Sequence, residues 1–509
     1  MQKHTLDTYC RLGHSQESVP DDRLQRFVIA WDGRSLLNPQ IYRWTKLHYA
    51  REGVKRNIPD EHILEIPETF VCNQNSNRYL IYSPLAGVAA EVNYDALVML
   101  ESLRRQYPNP RLATMLPKQY QETVRFLKQA QFLQPKGSIT CTPRMYRSRV
   151  DLCLTSACNM RCVYCFSSGG ERPRVMSWEI AKAALDLTVD YALRKNLPGI
   201  EVAFQGDGEQ FVAWRMMVKC TEYIKSLVQK QGLHLRIWSL TNGILTSEMI
   251  RWAVWNLDSL AISLDGPPEI QNAQRLLPNG LGSAPKVIET IRQIESMGGN
   301  YSLRATISKQ IVGRMAEIVE YVIENFPKAR SFVLDPLFPS YISTRTGWEA
   351  PRADEFVAGY LEAQRIADKA GLRLGYTGFF NMQELTGYHC DAWGIKLAVT
   401  PEGLISSCPI IATLEDPRAD FCIYGRYSEG RFEYHWGKLR RIMRRNLANM
   451  PYCANCMVRW HCAGECYSRL MMVGNYDEPW RSFRCEINRQ LLPYELLRRL
   501  ENSQEANHA

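Results

Sequence analysis

Short apolar runs recur at 150–155 (VDLCLT), 200–204 (IEVAF), 233–240 (LHLRIWSL), 259–264 (SLAISL), 301–307 (YSLRATI) and 331–334 (SFVL). Their length and composition are those of buried strands. Between them, 178–193, 213–230, 247–255, 284–297, 311–325 and 353–370 carry apolar residues at three- and four-residue steps. Val287, Ile288, Ile291 and Ile294 form one such stripe, and the period predicts amphipathic helices. Regular strand–helix alternation predicts a parallel sheet covered by helices. Six units fall short of the eight in a closed barrel. The expected fold class is therefore α/β, a partial (β/α)6 TIM-like barrel.

The flanks read differently. Residues 78–82 and 88–92 predict a hairpin around 84–87, followed by helices at 94–105 and 117–131. In the second helix Tyr120, Val124 and Leu127 share a face. The pattern predicts a small winged-helix-like domain at about 65–137, inside an N-terminal region of 1–145. The first 60 or so residues show no periodicity that assigns them. The barrel is expected over 146–375, and 376–509 is expected to be a separate, irregular domain rich in Cys, Gly, Trp and Tyr. Within it the basic run 438–445 predicts a solvated helix face with Leu439 and Met443 inward.

Composition changes this picture in one respect. Of the 509 residues, 45% are hydrophobic and 23% charged, the balance of a folded globular protein. The net charge, 62 − 53 = +9, is spread along the chain and lacks the dense stripe of a nucleic-acid binder. No apolar run reaches the ~18 residues of a membrane span, and the first residues carry no signal-peptide core. The expectation is a cytoplasmic protein with no membrane or nucleic-acid partner. Sixteen cysteines in a reducing compartment then point to metal rather than to disulfides.

Three of them lie in Cys158-Asn-Met-Arg-Cys162-Val-Tyr-Cys165, directly after the first strand. Three thiolates on one loop can hold a cubane iron–sulfur cluster and leave one iron open, which a catalytic site needs. A structural zinc site is the alternative, although zinc favours two separated pairs of ligands. The C-x3-C-x2-C spacing resembles the signature of the radical S-adenosylmethionine (SAM) enzymes, and further residues follow in that family's order. Tyr164 stands at the aromatic position beside adenine. Gly206-Asp207-Gly208-Glu209 resembles the Gly-Gly-Glu motif that receives the methionine amino group. Here it is stretched by one residue, and Gln210 stands where Pro usually follows. Asn242 ends the third strand, and Ser263-Leu-Asp-Gly266 resembles Ser-x-Asp-Gly. Arg304 resembles the arginine that pairs with the SAM carboxylate, which suits a planar guanidinium. The resemblance implies that Tyr164, Gly206, Gly208, Glu209, Asn242, Ser263 and Arg304 contact SAM. It also implies that Cys158, Cys162 and Cys165 ligate the SAM-binding [4Fe–4S] cluster.

The second group begins with Cys390 and Cys408 on either side of Gly403, continues as Cys453-x2-Cys456-x5-Cys462-x3-Cys466, and ends at Cys485. This seven-cysteine series resembles the SPASM extension of one branch of the same family. That resemblance implies two auxiliary [4Fe–4S] clusters, and three clusters in all. Cys390, Cys408 and Cys466 would hold the first, and Cys453, Cys456, Cys462 and Cys485 the second. The first then lacks a ligand, for which Cys422 is the nearest unassigned thiol; the alternative for Cys422 is a small buried hydrophobe. Cys10, Cys72, Cys141, Cys153 and Cys220 fit no pattern and are expected to pack in cores.

In the family, SAM cleavage yields a 5′-deoxyadenosyl radical that abstracts hydrogen, fed by a reducing donor such as flavodoxin or ferredoxin. The N-terminal pattern resembles the winged-helix domain that grips leader peptides of ribosomally made natural products, by strand addition to an exposed sheet edge. The expected enzyme is a radical SAM peptide maturase that installs a thioether or carbon–carbon crosslink on a precursor peptide. The alternatives are a protein-modifying enzyme of the sulfatase-maturase type and a peptide epimerase. Pro409, where sulfatase maturases carry Asp, counts against the first. A non-catalytic zinc or electron-transfer scaffold would need neither Glu209 nor Arg304.

Overall fold

The computed structural model describes residues 9–11, 40–52, 54–59, 64–65, 68–75, 77–106, 125–127, 129–132, 134–135, 137–141, 147–167, 170, 173–378, 384–390, 396–472 and 482–508. Its centre is a parallel sheet of β1 (Ser148–Leu152), β2 (Gly199–Phe204), β3 (His234–Thr241), β4 (Ser259–Ser263), β5 (Tyr301–Ile307) and β6 (Ser331–Pro336). These are the six expected strands, each within a few residues of its predicted bounds. Register runs strand to strand, with Val150 opposite Val202, Val202 opposite Ile237 and Leu303 opposite Phe332. Val150, Leu152, Val202, Phe204, Ile262, Leu303 and Phe332 are fully buried. Each such side chain contributes roughly 1.5–3 kcal/mol through its removal from water.

Helices cover the outside. Trp178–Arg194 and Ser247–Asn256 start where Ser177 and Thr246 accept the backbone N–H groups of Ile180 and Met249, satisfying donors that the first turn leaves open. Trp214–Gln231 stops at Gly232, in the left-handed region at φ +65°. Ala284–Ser296, Met315–Asn325 and Ala353–Ala370 complete the layer.

The sheet is wider than six strands. Two short parallel strands flank it, β7 (Arg373–Gly375) beside β6 and β8 (Leu397–Val399) beside β1. From β8 it continues antiparallel through Leu404–Ser406, Ile423–Ser428 and Arg431–Tyr434. The cysteine-rich part is thus anchored to the barrel by a regular extension. Cys422, Cys462 and Cys485 lie in helices, whereas Cys390 and Cys408 lie in bends and Cys466 follows a turn. In the helix Trp436–Met443 the inward residue is Ile442, at 2% exposure, while Met443 is exposed. Leu439 packs on the core as expected, but Ile442 rather than Met443 completes the inward face.

Ahead of the barrel, Phe70–Asn75, Arg78–Ser83 and Val88–Val92 form an antiparallel meander that includes the expected hairpin. Asn93 caps the helix Tyr94–Gln106 through Ala96 N–H at 3.0 Å. Much of the second expected helix, 117–131, lies outside the described residues. One sheet face (Val71, Ile81, Val88, Ala90, Val92) packs on Leu97, Leu100, Phe126 and Phe132. The other (Phe70, Cys72, Leu80, Tyr82, Ala89) packs on Met457, Val458, Leu492, Leu496 and Leu500, joining this module to the C-terminal helix Phe483–His508. Tyr82 Oη lies 2.6 Å from His461 Nε2 across that boundary. Both edges of the meander are taken by the chain itself. Tyr9–Arg11 pairs with Phe70–Cys72, and Ile41–Lys46 pairs with Val88–Val92. The edges of the sheet are therefore not the hairpin strands but Tyr9–Arg11 and Ile41–Lys46. No helix among the described residues is long and apolar enough to cross a membrane.

Candidate functional site

The cysteine loop leaves β1 and crosses the C-terminal ends of the barrel strands, where such folds place their active sites. Arg161–Cys162 forms a short antiparallel pair with Arg275–Leu276, and Val163 N–H reaches Gln274 O at 3.0 Å. Tyr164 Oη donates to Asp265 Oδ2 at 2.5 Å. The same oxygen lies 3.1 Å from Arg275 Nε, and the guanidinium stands 5.4 Å from the Tyr164 ring centre. Asp265 is fully buried and also accepts Gln274 Nε2 and Thr306 N–H. Sequence reasoning did not single out Asp265 or Arg275 as site residues. The available signal was the Asp of Ser263-Leu-Asp-Gly266.

The stretched Gly-Asp-Gly-Glu run fits tightly under this loop. Gly208 has φ +71°, and a Cβ there would lie 2.6 Å from Thr155 O and Ala157 O, so no other residue fits. Gln210 explains its departure from Pro. Its Oε1 accepts Leu154 N–H at 2.6 Å and its Nε2 donates to Asp207 O at 2.7 Å, which ties the run to the end of β1. Glu209, 3% exposed, accepts Phe211 N–H, Thr241 Oγ1 and Asn242 N–H at 3.2, 3.1 and 2.6 Å. Burial pushes its carboxyl up to about 7, against those hydrogen bonds. Three protein donors thus hold the group expected to meet an ammonium. Asn242 Nδ2 donates to Asn159 Oδ1 at 2.7 Å and lies 3.8 Å from Cys158 Sγ, clasping the cysteine loop to β3. Ser263 ends β4 opposite Arg304 on β5. Arg304 Nη2 lies 3.0 Å from Asp335 Oδ2, so its guanidinium already has an anionic partner. Burial pushes the thiols of Cys158 and Cys162 up to about 11 and about 12. Their deprotonation would need a metal.

The C-terminal cysteines divide between two small cavities. Cys453, Cys456, Cys462 and Cys485 line one, with Arg459 and Asn488. Cys390, Cys408, Cys422 and Cys466 line the other, with His389 and Glu465. Cys422, 2% exposed, therefore sits with the three thiols that lacked a fourth. Cys462 and Cys466 are only four residues apart yet face different cavities. The turn between them is made by Ala463, Gly464 and Glu465, all left-handed at φ +49°, +88° and +66°. All fifteen cysteines whose side chains are described are free thiols. Cys72, Cys153 and Cys220 are buried in the cores. Cys141 is half-buried against Gly387. Residue 10 lies in a described strand, but its side chain is not described.

The C-terminal cavities fit iron–sulfur clusters by the chemistry of their surroundings. Among the described residues, buried guanidinium nitrogens of Arg459, Arg469 and Arg484 have no hydrogen-bond partner. Unspent cationic donors beside thiols suit an anionic cluster, and buried charge is otherwise costly. A cavity of about 510 Å³ lies between the first loop and the C-terminal part, lined by Phe166, Ser167, Asp207, Tyr341, Glu402 and Ile410 among others.

Comparison with known proteins agrees with this geometry. Residues 152–321 match the Radical SAM superfamily. The chain is 28% identical over 197 residues to the cysteine-type anaerobic sulfatase-maturating enzyme of Clostridium perfringens, covering 36% of this chain and 51% of that protein. It is 24% identical over 351 residues to mycofactocin maturase MftC of Mycolicibacterium smegmatis, covering 63% of this chain and 78% of that one. The chain spans about half the length of the first of these relatives. The solved structure of anSMEcpe with bound AdoMet superposes with a TM-score of 0.51 at 16% identity, over 70% of this chain and 95% of that one. The fold and site define a radical SAM domain with a cysteine-rich extension. Residues 152–321 are a domain of the Radical SAM superfamily, and such a domain implies one [4Fe–4S] cluster and SAM.

Proposed function

We propose that this enzyme is a peptide maturase with three [4Fe–4S] clusters, and that it installs an oxidative crosslink, thioether or carbon–carbon, on a precursor peptide. The observation that carries this reading is the large cavity between the first cysteine loop and the stretch just after Cys408, lined by Phe166, Asp207 and Ile410. A substrate seated there would lie between the SAM-binding cluster and an auxiliary one. Cys158, Cys162 and Cys165 would hold the first cluster. Cys390, Cys408, Cys422 and Cys466 would hold one auxiliary cluster, and Cys453, Cys456, Cys462 and Cys485 the other. The cluster and SAM supply one-electron, hydrogen-abstracting chemistry when bound. Around them, Tyr164, Asn242 and the Gly206–Glu209 run would orient the loop, and Ser263 and Arg304, opposite each other on β4 and β5, would contact the polar parts of SAM. The barrel's apolar walls exclude water.

The leader peptide would add to the outer edge of Ile41–Lys46, which ends the N-terminal sheet. The similarity to a sulfatase-maturating enzyme supports a second reading, modification of a protein side chain; Pro409 after Cys408 weighs against it. Co-expression with a small peptide encoded beside the enzyme tests the choice. Loss of two hydrogens in intact mass is expected. An unchanged mass with inverted chirality would make the enzyme an epimerase, and an unmodified peptide would refute the maturase reading.

A further inference from the structure

Glu465 and Arg484 each immediately precede a cysteine, and those cysteines face different cavities: Cys466 the one with Cys408, and Cys485 the one with Cys456. The two side chains meet, with Arg484 Nε 3.2 Å from Glu465 Oε1, at 1% and 0% exposure. The same Glu465 oxygen accepts Cys466 N–H at 2.8 Å. Glu465 is held in the left-handed region, the last of three consecutive residues there. A side chain at such a position persists only when its surroundings enforce it. Arg484 stands 5.1 Å from the Tyr376 ring centre and 5.6 Å from that of Phe338. Among the described residues its Nη1, and Oε2 of Glu465, have no hydrogen-bond partner. The charges are therefore not saturated locally and act on what surrounds them. The chain continues into the barrel: Thr377, next to Tyr376, donates to Asp335 at 2.6 Å, and Asp335 takes Arg304.

We propose that Glu465 and Arg484 are a positioning pair that fixes the two auxiliary cluster sites against each other and sets their reduction potentials, Arg484 being the cation shared by both. This rests on the cluster assignment made above. A buried ion pair is weak as a source of stability, since apolar replacements of both partners are often neutral. Its effect on a neighbouring cluster is direct, because a nearby cation favours the more negative, reduced state.

The test is potentiometric titration of the anaerobically reconstituted holoenzyme, with each cluster followed by its EPR signal. Arg484→Gln should shift both auxiliary potentials to more negative values and leave the first-loop cluster unmoved. Glu465→Gln should shift the cluster at Cys466 upward. The double variant, which strands no charge, should retain its iron and return towards wild type, and Arg484→Lys should restore most of the potential. Unmoved auxiliary potentials in variants that hold full iron would overturn the pair's role while leaving the cluster assignment intact. Loss of auxiliary iron from Arg484→Lys and from the double variant would reduce the pair to scaffolding and equally overturn it. A wild-type protein that holds zinc and no iron would overturn the assignment itself.

Discussion

In the loop after β1, three cysteines lie within eight residues, and the barrel holds that loop from outside through Asn242, Gln210, Gln274 and Asp265. In the C-terminal part, each cavity draws its thiols from stretches far apart in the chain, with Cys390 beside Cys466 and Cys453 beside Cys485. The backbone there adopts left-handed turns that few side chains tolerate. The first site is thus a local motif set on a rigid scaffold. The second is a pair of sites assembled from helices and left-handed turns brought together from distant stretches. The difference predicts that the two regions fail differently.

The largest effect is expected from Cys162→Ala. It should abolish 5′-deoxyadenosine formation while about two-thirds of some twelve irons remain; full activity would break the comparison at its first term. Phe204→Ala, in the fully buried barrel sheet, should cost about 3–5 kcal/mol in denaturant unfolding, whether or not clusters are loaded. Gly464→Ala should cost about 1–3 kcal/mol. Its φ is +88°, and an added Cβ would lie 2.2 Å from Met450 Sδ, so auxiliary iron should fall while SAM cleavage persists. An unchanged iron content would show that the turn is not what separates the two cavities. Asn242→Ala should cost about 1 kcal/mol, visible as several-fold weaker SAM binding with auxiliary iron intact.

The smallest effect concerns pH. Burial raises the Glu209 carboxyl to about 7 from an ordinary 4.5. The folded state therefore holds its proton more tightly than the unfolded chain. The associated stability is complete below about 4.5 and is lost as pH rises through about 7. Glu209→Gln should flatten that part of the cluster-free protein's stability profile, and a profile unchanged between the two proteins would show that Glu209 does not titrate there.

Much of the barrel was legible because its strands are short apolar runs and its helices carry a 3.6-residue stripe, patterns that burial on both sides of a sheet requires. Val202, Phe204 and Ile291 are buried as that pattern predicts. The flanking β7 and β8 were not legible: three residues such as Leu397–Val399 are too short to show a period. The cysteine loop was legible in spacing alone. The roles of Gln210 and Arg275 were not, since each depends on a partner distant in the chain. The N-terminal hairpin was foreseen, but its edges were not. Tyr9–Arg11 and Ile41–Lys46 lie where no local pattern announces a strand, and they move the edges of the sheet outward from the hairpin. Phe70, Leu80 and Tyr82 share a core with Leu492 and Leu496, so removing the N-terminal region would uncover the C-terminal helix rather than release an independent module.

Sequence alone determined the strand–helix alternation and the two cysteine spacings, because burial periodicity and short-range ligand spacing are local properties of the chain. The resemblance implied how seven of the thiols divide; that they line two separate cavities, and that Cys422 lies in one of them, was decided only by the tertiary structure. Cys422 joins Cys390, Cys408 and Cys466, and Cys462 and Cys466 part company across three left-handed residues. The left-handed turn at 463–465 sends Cys462 and Cys466 to different cavities, and such long-range packing leaves no period in the sequence.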